Sequence, residues 1–399
     1  MARWLTGNRV RITAISTLVV NADLRNWIFV HVETDVPGLY GWGEATLEWK
    51  TRAVVGAVDD LAPLLIGTDP RDIAGAVRLM NKGGFWRLGV IGASAISGIE
   101  IALWDILGKS LNVPVWRLLG GRVRDRVRCY THLGLGAKGA VYGAIDASKI
   151  ADHACTIVDA GYTALKVVCV PYTHMTVSAA DLRLTATVTQ TLRDAVGPDV
   201  DIMLDFHGRP GSISAALAHI EVASAIAPLF IEEPLPPEDV EGLAVLSARS
   251  PVPLATGERL IGRQAFEPLL TRRMIAIAQP DICHTGGLLE TMKIAAHAET
   301  CGIGMAPHNP LGPIAGAAAL HFAVSATNFV IQEEMAGAVP WFDEVVQGPI
   351  VRDGGWWQVP EKPGLGVEVD AAAAARHPFV QEPMLAASGR DADGLLLDW

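Results

Sequence analysis

Short apolar runs that end in polar residues recur along residues 125–335, and they constrain the fold more than any other feature. Helix-compatible, alanine-rich stretches such as SISAALAHIEVASAIA separate most of them. Strands that alternate with helices predict parallel βαβ units, and seven such runs in series predict a closed barrel. The runs are TALKVVCV, DIMLDFH, PLFIEEP, VPLATGE, AIAQPDI, IGMAPH and NFVIQEE.

The polar residues at the ends of six runs are evenly spaced. Neighbours in this series lie 23 to 27 residues apart, close to the roughly 30 residues of one βαβ step. The C-terminal ends of the strands in a parallel barrel meet at one mouth, where such folds have their active sites. The six residues are Asp205, Glu232, Glu258, Asp281, His308 and Glu333.

The remainder of the chain has a different pattern. Residues 9–46 alternate like strands and contain the turn sequence DVPGLYGWG, whereas residues 51–119 have the spacing of helices. We expect a small α+β domain here, ending near LLGGRVRD. With 399 residues, two domains are the ordinary expectation. Periodicity does not decide whether the tail from residue 340 packs on this first domain.

Composition argues against several classes of protein. A net charge of −11 without a long basic run predicts no nucleic-acid partner. No stretch reaches the roughly 18 uncharged apolar residues of a membrane helix, and MARWLTGNRV lacks the apolar core of a secretory signal. The five cysteines form no close pairs. We therefore expect a cytoplasmic protein with reduced thiols, no disulfide framework and no membrane partner.

Three carboxylates follow three consecutive predicted strands, in LDFH, FIEEP and GER. Bare carboxylates at one mouth would repel one another, and a hard divalent cation with oxygen ligands removes that repulsion. The spacing therefore predicts an Mg²⁺ site rather than solvated loop acids. Asp205 and Glu258 are two of the ligands, and strand alternation leaves Glu232 and Glu233 both open as the third.

Two histidines and a lysine accompany the carboxylates. Asp281 one βα unit before His308 predicts a general base whose tautomer the carboxylate fixes, the alternative being a loop histidine. His207 follows Asp205 by two residues, so strand alternation predicts that both face the mouth. Because carboxylates complete the metal set, we assign His207 to acid chemistry. Lys166 is expected to pair with a substrate carboxylate, the alternative being a surface lysine.

These motifs, in this order, resemble the enolase superfamily and its mandelate racemase subgroup, and most closely the galactonate dehydratase-like acid-sugar dehydratases. The similarity covers nearly the whole chain, and LDFHGR followed by the APHNPLGPIA stretch is its most specific part. The motifs are GWGE, ALWDILGK, VPVWRLLGG, LDFHGR, FIEEP, GER, QPDICHTGG, APHNPLGPIA, IQEE and KPGLGVE.

The resemblance implies an α/β fold, with a (β/α)7β barrel over residues 125–355 and an α+β capping domain over residues 1–124. Residues 356–399 are then a tail that packs back on the cap. It also implies Glu232 rather than Glu233 as the ligand beside Asp205 and Glu258. In this resemblance His308 and Asp281 match the base dyad, His207 the general acid, and Glu333 the group that contacts the enediolate.

The function implied is Mg²⁺-dependent dehydration of a sugar acid, a galactonate-like aldonic or aldaric acid. His308 removes the α-proton, His207 protonates the departing β-hydroxyl, and a 2-keto-3-deoxy acid results. An epimerase or cycloisomerase would use the same enediolate, and a non-catalytic binding protein is the third alternative. The racemase branch carries Lys-x-Lys where this chain has Lys166-Val167-Val168, which favours elimination over two-base racemisation.

The cap loops NADLRN and GGFWRLGV are expected to contact the sugar. Their candidate residues are Arg25, Trp86 and Arg87, with ordinary packing and surface charge as the alternative. His132, Val168 and Asn309 lie where the resemblance leaves the pattern open, so it does not specify which sugar acid is bound. Members of such families often assemble, and a homo-oligomer is expected.

Overall fold

A computed structural model describes residues 9–87, 89–133, 145–172, 175–335, 337–383, 390 and 393–396. The cap begins with a three-stranded antiparallel sheet whose strands are adjacent in chain order. Three helices follow and pack on it. The elements are β1 (Ile12–Ala22), β2 (Arg25–Thr34), β3 (Tyr40–Glu44), α1 (Thr51–Leu61), α2 (Ile73–Lys82) and α3 (Gly89–Leu111).

Helix α3 packs unusually close to strand β3. A Cβ atom added to Gly43 would lie 1.9 Å from the carbonyl oxygen of Gly98 in α3, so this contact requires glycine. Among the described helices, only α3 is long and apolar enough to cross a membrane by length and composition, and 72% of its most apolar window is buried inside the fold. In this structure α3 is a core helix that contacts both the cap sheet and, through its polar side, the barrel.

After α4 (Val115–Leu118), the described part of the chain forms a ring of eight parallel strands that alternates with seven helices. The strands are β4 (Arg126–His132), β5 (Ala164–Val168), β6 (Asp201–Asp205), β7 (Phe230–Glu232), β8 (Leu254–Thr256), β9 (Ile277–Ala278), β10 (Gly304–Met305) and β11 (Gln332–Glu334). The helices are α5 (Ala147–Asp159), α6 (Ala179–Val196), α7 (Ile213–Ala223), α8 (Val240–Ser247), α9 (Gly262–Thr271), α10 (Leu288–Thr300) and α11 (Pro313–Ser325).

The ring order is β10-β9-β8-β7-β6-β5-β4-β11. Bonds from Met305 N to Asn328 O and from Val330 N to Met305 O join β10 to the segment that enters β11. The expected (β/α)7β fold is confirmed. The seven apolar runs omitted β4, because the arginines at positions 126 and 128 interrupt its apolar residues and lie on its more exposed side.

An apolar layer fills the ring, with one residue from each strand or its margin. These are Tyr130, Ala164, Met203, Phe230, Ala255, Ile277, Ala306 and Ile331. Side chains two residues apart in a strand face the same side, so the next layer toward the mouth comes two residues later. That second layer is His132, Lys166, Asp205, Glu232, Gly257, Gln279, His308 and Glu333. The polar site therefore rests directly on an apolar floor.

The last described part of the chain contacts both domains. Its elements are β12 (Val346–Gln347), β13 (Trp356–Gln358), β14 (Glu368–Val369) and α12 (Ala371–Ala374), and β13 pairs with barrel strand β4. Between β13 and β14, the Leu365 amide donates to Asp105 of α3 at 2.8 Å. After α12, Glu382 accepts hydrogen bonds from Trp49 N and Thr51 Oγ1. The boundaries at residues 124 and 355 stay predictions.

Candidate active site

A cavity of about 450 Å³ lies where the cap covers the mouth of the barrel. Its size is that of a small-molecule site. Cap residues Arg25, Leu47, Glu48, Trp49 and Val90 form one wall. Most of the residues predicted from the strand ends line the opposite wall, namely Lys166, Asp205, His207, Glu258, His308 and Glu333.

His308 and Asp281 form the expected pair. His308 Nδ1 lies 2.8 Å from Asp281 Oδ2, and the backbone amide of Cys283 donates to Asp281 Oδ1 at 2.7 Å. Asp281 thus accepts the Nδ1 proton, and Nε2 is left toward the cavity, 3.9 Å from Glu258 Oε2. Burial alone would lower the pKa of His308, but the carboxylates of Glu258, Asp281 and Glu333 raise it to about 10.

Lys166 lies among three carboxylates at the bottom of the cavity. Its ammonium nitrogen is 2.6 Å from Glu232 Oε1, 3.0 Å from Glu333 Oε1 and 3.7 Å from Asp205 Oδ2. Although burial opposes its charge, Glu232 and Glu333 raise the pKa of Lys166 well above its ordinary value. The side chain is 2% exposed. Lys166 is therefore a buried cation, and not the surface lysine that was its alternative.

The three expected metal ligands come from consecutive strands and supply only oxygen donors. Burial raises the pKa of Asp205, Glu232 and Glu258, most strongly for Glu258. Within the described ranges, Glu258 accepts no hydrogen bond, and its closest cation is His308. A buried carboxylate without a donor fits a divalent cation, and oxygen ligands suit Mg²⁺. The side chains of the described chain do not, however, have the mutual spacing of a closed metal shell.

The two glutamates of FIEEP have different partners. Glu232 ends β7, where Lys166 and Gln279 Nε2 donate to its two oxygens at 2.6 and 2.7 Å. Glu233 has a left-handed φ of 40° and forms a two-pronged ion pair with Arg259 at 2.8 and 2.7 Å. Glu233 is thus neutralised by a cation of its own, whereas Glu232 shares Lys166 with Asp205 and Glu333. The ligand role of Glu232 stays a proposal.

His207 lines the cavity, but strand alternation does not place it there. β6 ends at Asp205, and His207 has a left-handed φ of 56° while its amide donates to Asp205 Oδ1 at 2.8 Å. His207 therefore lies at the mouth as predicted, but a turn and not strand alternation directs its ring. Burial, followed by the Arg209 and Arg259 cations, lowers the pKa of His207 well below its ordinary value. The ring is neutral at pH 7 in the structure described.

Strands β6 and β10 are four steps apart in the ring of eight, whichever way it is followed. They are therefore diametrically opposite. His207 follows β6 and His308 follows β10, and both line the same cavity. The two histidines can address opposite sides of a bound molecule.

The structure does not bring two of the expected substrate contacts to the cavity. Trp86 is 80% exposed and packs edge-on against Phe85, and Arg87 donates to the carbonyl oxygen of Gly84 at 2.8 Å. Neither is part of the cavity wall. Arg25 is part of the cavity wall, and its guanidinium donates to Glu48 and to the carbonyl oxygen of Pro310, both at 2.5 Å. Contact of Trp86 and Arg87 with substrate has no support in this arrangement.

The three positions left open by the sequence differ in their placement. His132 lines the cavity, and burial followed by Lys166 lowers its pKa to about 4. The backbone amide of Asn309 donates to Glu333 Oε2 at 2.9 Å. Val168 is buried and does not belong to the cavity wall.

Burial opposes the Glu333 charge, but Lys166 and His308 lower the pKa of Glu333 to about 2.

Sequence reasoning missed Gln279, which donates to the metal-ligand candidate Glu232. The signal was present, because Gln279 follows the apolar-layer residue Ile277 by two positions, as Lys166 follows Ala164. It also missed the cap carboxylates Glu44 and Glu100, which bond to barrel loops across the domain boundary. No local pattern identifies such partners.

Comparison with known proteins agrees with this geometry. Residues 8–120 match the mandelate racemase / muconate lactonizing enzyme N-terminal domain, and residues 149–373 match the enolase C-terminal domain-like family. The D-galactonate dehydratase of Klebsiella pneumoniae (strain 342) is 38% identical over 383 residues, 94% of this chain and 96% of the relative. That of Verminephrobacter eiseniae (strain EF01-2) is 40% identical over 401 residues, 98% of this chain and 100% of the relative.

Solved structures of other proteins are also similar to the fold of this chain. An enolase from Pantoea ananatis, crystallised with bound D-gluconate and Mg, superposes with a TM-score of 0.86 at 30% identity, over 97% of this chain and 99% of that one. An enolase superfamily member from Salmonella Typhimurium has a TM-score of 0.86 at 30% identity, over 93% and 99%. The chain therefore belongs to the enolase superfamily, within its mandelate racemase / muconate lactonizing enzyme family.

Proposed function

We propose that this protein is a sugar acid dehydratase, a carbon–oxygen lyase that removes water from an aldonic or aldaric acid. The placement of His308 and His207 just after diametrically opposite strands, where both line one cavity, carries this proposal. Loss of water from adjacent carbons needs a base at the α-proton and an acid at the β-hydroxyl. Two imidazoles across one cavity supply both from different sides of the substrate.

The three carboxylates Asp205, Glu232 and Glu258 would hold Mg²⁺. When bound, this ion supplies positive charge that stabilises the enediolate formed from the substrate carboxylate. Glu258, with its charge offset by a bound cation, would raise the pKa of His308 less, which would bring the base closer to neutral pH.

His308 Nε2 accepts the α-proton while Asp281 holds Nδ1 and stabilises the imidazolium that forms. Glu333, kept in place by Lys166 and the Asn309 amide, lies beside the developing enediolate. His207 delivers a proton to the departing hydroxyl. A bound anionic substrate raises the pKa of His207 from its low value, because a nearby negative charge favours the protonated ring. The enol product then tautomerises to a 2-keto-3-deoxy acid.

The relatives support the substrate class. Proteins named D-galactonate dehydratase match nearly the whole chain, and a solved relative holds D-gluconate. These two acids differ in configuration at one carbon, so both are primary candidates. Arg25, which reaches the cavity from the cap with only its Nη1 atom bonded in the described structure, is a candidate contact for the distal hydroxyls.

Epimerisation through two bases has less support. The strand that carries a second lysine in racemases has Val168 there, and Lys166 is held by two carboxylates within 3.0 Å. No further base faces His308 from β5 in the described structure. Assembly as a homo-oligomer and a cytoplasmic location stay predictions.

The test is a screen of aldonic and aldaric acids, including D-galactonate and D-gluconate, with Mg²⁺ present. We expect a 2-keto product that is lighter than the substrate by the mass of the one water molecule lost in the elimination. A product of unchanged mass would replace the dehydratase with an isomerase. No turnover and no Mg²⁺ binding would support a binding protein instead.

A further inference from the structure

The two halves of the base dyad lie on consecutive βα loops that both touch the cap. Asp281 lies between β9 and α10, and His308 lies between β10 and α11. Side chains from the cap elements α3 and β3 bond directly to both loops. Both loops that carry the dyad therefore have hydrogen-bond partners outside the barrel.

Ser94 and Ser97 of α3 contact the loop that carries Asp281. Ser94 Oγ lies 3.1 Å from His284 Nδ1, and the other ring nitrogen of His284 lies 3.6 Å from Asp281 Oδ2. Ser97 Oγ accepts a bond from the Gly286 amide at 3.0 Å. These two serines are neighbours on one side of the helix, because residues three apart lie on the same side.

Glu100, one further step of three along α3, reaches the start of α10. It is fully buried and accepts from the amides of Leu288 and Leu289 at 2.9 and 2.8 Å. The residue before α10 is Gly287, which has a φ of 92° and no side chain to cap the helix. A Cβ atom there would lie 2.2 Å from Glu100 Oε2. Glu100 thus acts as the missing helix cap from another domain.

Glu44 of β3 has the same relation to α11, the helix after His308. It accepts from the amides of Gly312 and Ala315 at 2.7 and 2.8 Å. Gly312 also lacks a capping side chain, and a Cβ atom there would lie 2.6 Å from Glu44 Oε1. Two consecutive barrel helices are therefore each preceded by a glycine and capped by a buried glutamate of the cap domain.

We propose that the cap positions the base: Ser94, Ser97 and Glu100, here called the α3 clamp, hold the Asp281 loop, and Glu44 holds the His308 loop. These are positioning residues, since none of them lines the cavity. Misalignment of a catalytic group by about 1 Å costs up to about a hundredfold in rate. The inference rests on the proposed function insofar as His308 is the base.

The kinetic test uses a Ser94→Ala/Ser97→Ala double variant with Mg²⁺ and the acid sugar that the wild type dehydrates. We expect kcat to fall about tenfold or more, with KM within about twofold, because the clamp aligns the base without touching substrate. The isotope effect with α-deuterated substrate should rise as proton removal becomes more rate-limiting. An unchanged kcat and an unchanged isotope effect would overturn the proposal.

Ser110→Ala is the matched control. Ser110 belongs to the same helix, and its hydroxyl donates to Leu107 O of that helix at 2.8 Å. We expect its kcat, KM and isotope effect to equal those of the wild type. An equal loss in Ser110→Ala would assign the effect to the helix as a whole, and that would also overturn the proposal.

A second readout needs no substrate. Amide hydrogen exchange should become about tenfold faster in residues 282–289 of the double variant, since net hydrogen bonds are lost there, while α1 of the cap exchanges as before. Unchanged exchange in 282–289, or faster exchange throughout both domains, would contradict the positioning role. A wild type that dehydrated no acid sugar would overturn the proposed function, and loop exchange would still decide this inference.

Discussion

His308 Nδ1 and Asp281 Oδ2 lie 2.8 Å apart although 27 residues separate them in the chain. Adjacent parallel strands bring them together, because each residue follows its strand by three positions. The contact fixes which nitrogen of His308 is free for chemistry. It also makes Asp281 the residue through which the surrounding loops control the base.

Replacement of His308 by asparagine should abolish removal of the α-proton. Loss of a general base lowers a rate by about 10²- to 10⁴-fold, so exchange of the substrate α-proton with D₂O should fall by this factor in NMR spectra. His153→Asn, at an exposed position of α5, is the matched control and should exchange at the wild-type rate. Retained exchange in the His308 variant would remove this residue as the base.

Replacement of His207 by asparagine should separate the two proton transfers. His308 remains intact, so α-proton exchange in D₂O should persist, whereas release of the 2-keto product should fall by about 10²- to 10⁴-fold. Both rates are measured on one sample, by NMR and by a 2-keto acid assay. A parallel fall of both would assign His207 to proton removal or to substrate binding.

Glu258→Gln should remove most of the thermal stabilisation that Mg²⁺ gives to the protein. Burial raises the pKa of Glu258 well above its ordinary value, so its charge opposes folding at neutral pH when no cation is bound. The variant should therefore melt at a higher temperature than the wild type in EDTA. Added Mg²⁺ should raise the melting temperature of the wild type, since a ligand that binds the folded state stabilises it, and have little effect on the variant. Equal responses to Mg²⁺ would remove Glu258 from the ion site.

His321 should make the fold sensitive to acid. Its Nδ1 accepts from the Trp116 amide and its Nε2 lies 3.1 Å from Leu365 O, and burial, partly offset by that second bond, lowers its pKa to about 4. The unfolded pKa is about 6.5, so the unfolded chain binds more protons between these values. The contribution to stability is complete above about pH 6.5 and declines as pH falls, by about 2 kcal/mol at pH 5.

The measurement is urea unfolding of wild type and His321→Gln at pH 8 and pH 5. At pH 8 the variant should be less stable by about 1–3 kcal/mol, because it loses hydrogen bonds in a buried place. The difference between the proteins should narrow at pH 5. His219, whose pKa is also lowered to about 4 by burial, is common to both proteins and does not affect the comparison. A difference that stayed constant with pH would show that His321 does not titrate.

The barrel and its mouth could be predicted from the sequence because one period generates both. An apolar residue points into the ring, and two positions later a polar residue points the same way, as with Met203 and Asp205 or Ile331 and Glu333. The sequence does not predict β4, because Arg126 and Arg128 interrupt the apolar run that its buried residues would otherwise form. The direction of His207 could not be predicted from strand alternation, because a left-handed turn follows Asp205 and ends the alternation of side chains.

Contacts between the domains could not be predicted in the same way. The GWGE and ALWDILGK motifs were recognised but given no role, and the structure shows that Glu44 and Asp105 bond to backbone amides far away in the chain. A carboxylate that caps a distant helix has no sequence partner at fixed spacing.

The position of Glu382 has a consequence for synthesis of the protein. This residue of the tail accepts hydrogen bonds from the Trp49 amide and the Thr51 hydroxyl, next to the wall of the cavity. Domains generally begin to fold from the N-terminus while translation continues, so the cap sheet and the barrel strands emerge from the ribosome before the residue that fastens them. The hydrogen bonds that support Trp49 of the cavity wall can therefore form only after translation has passed residue 382, and a nascent chain released earlier would carry every proposed catalytic group without this support.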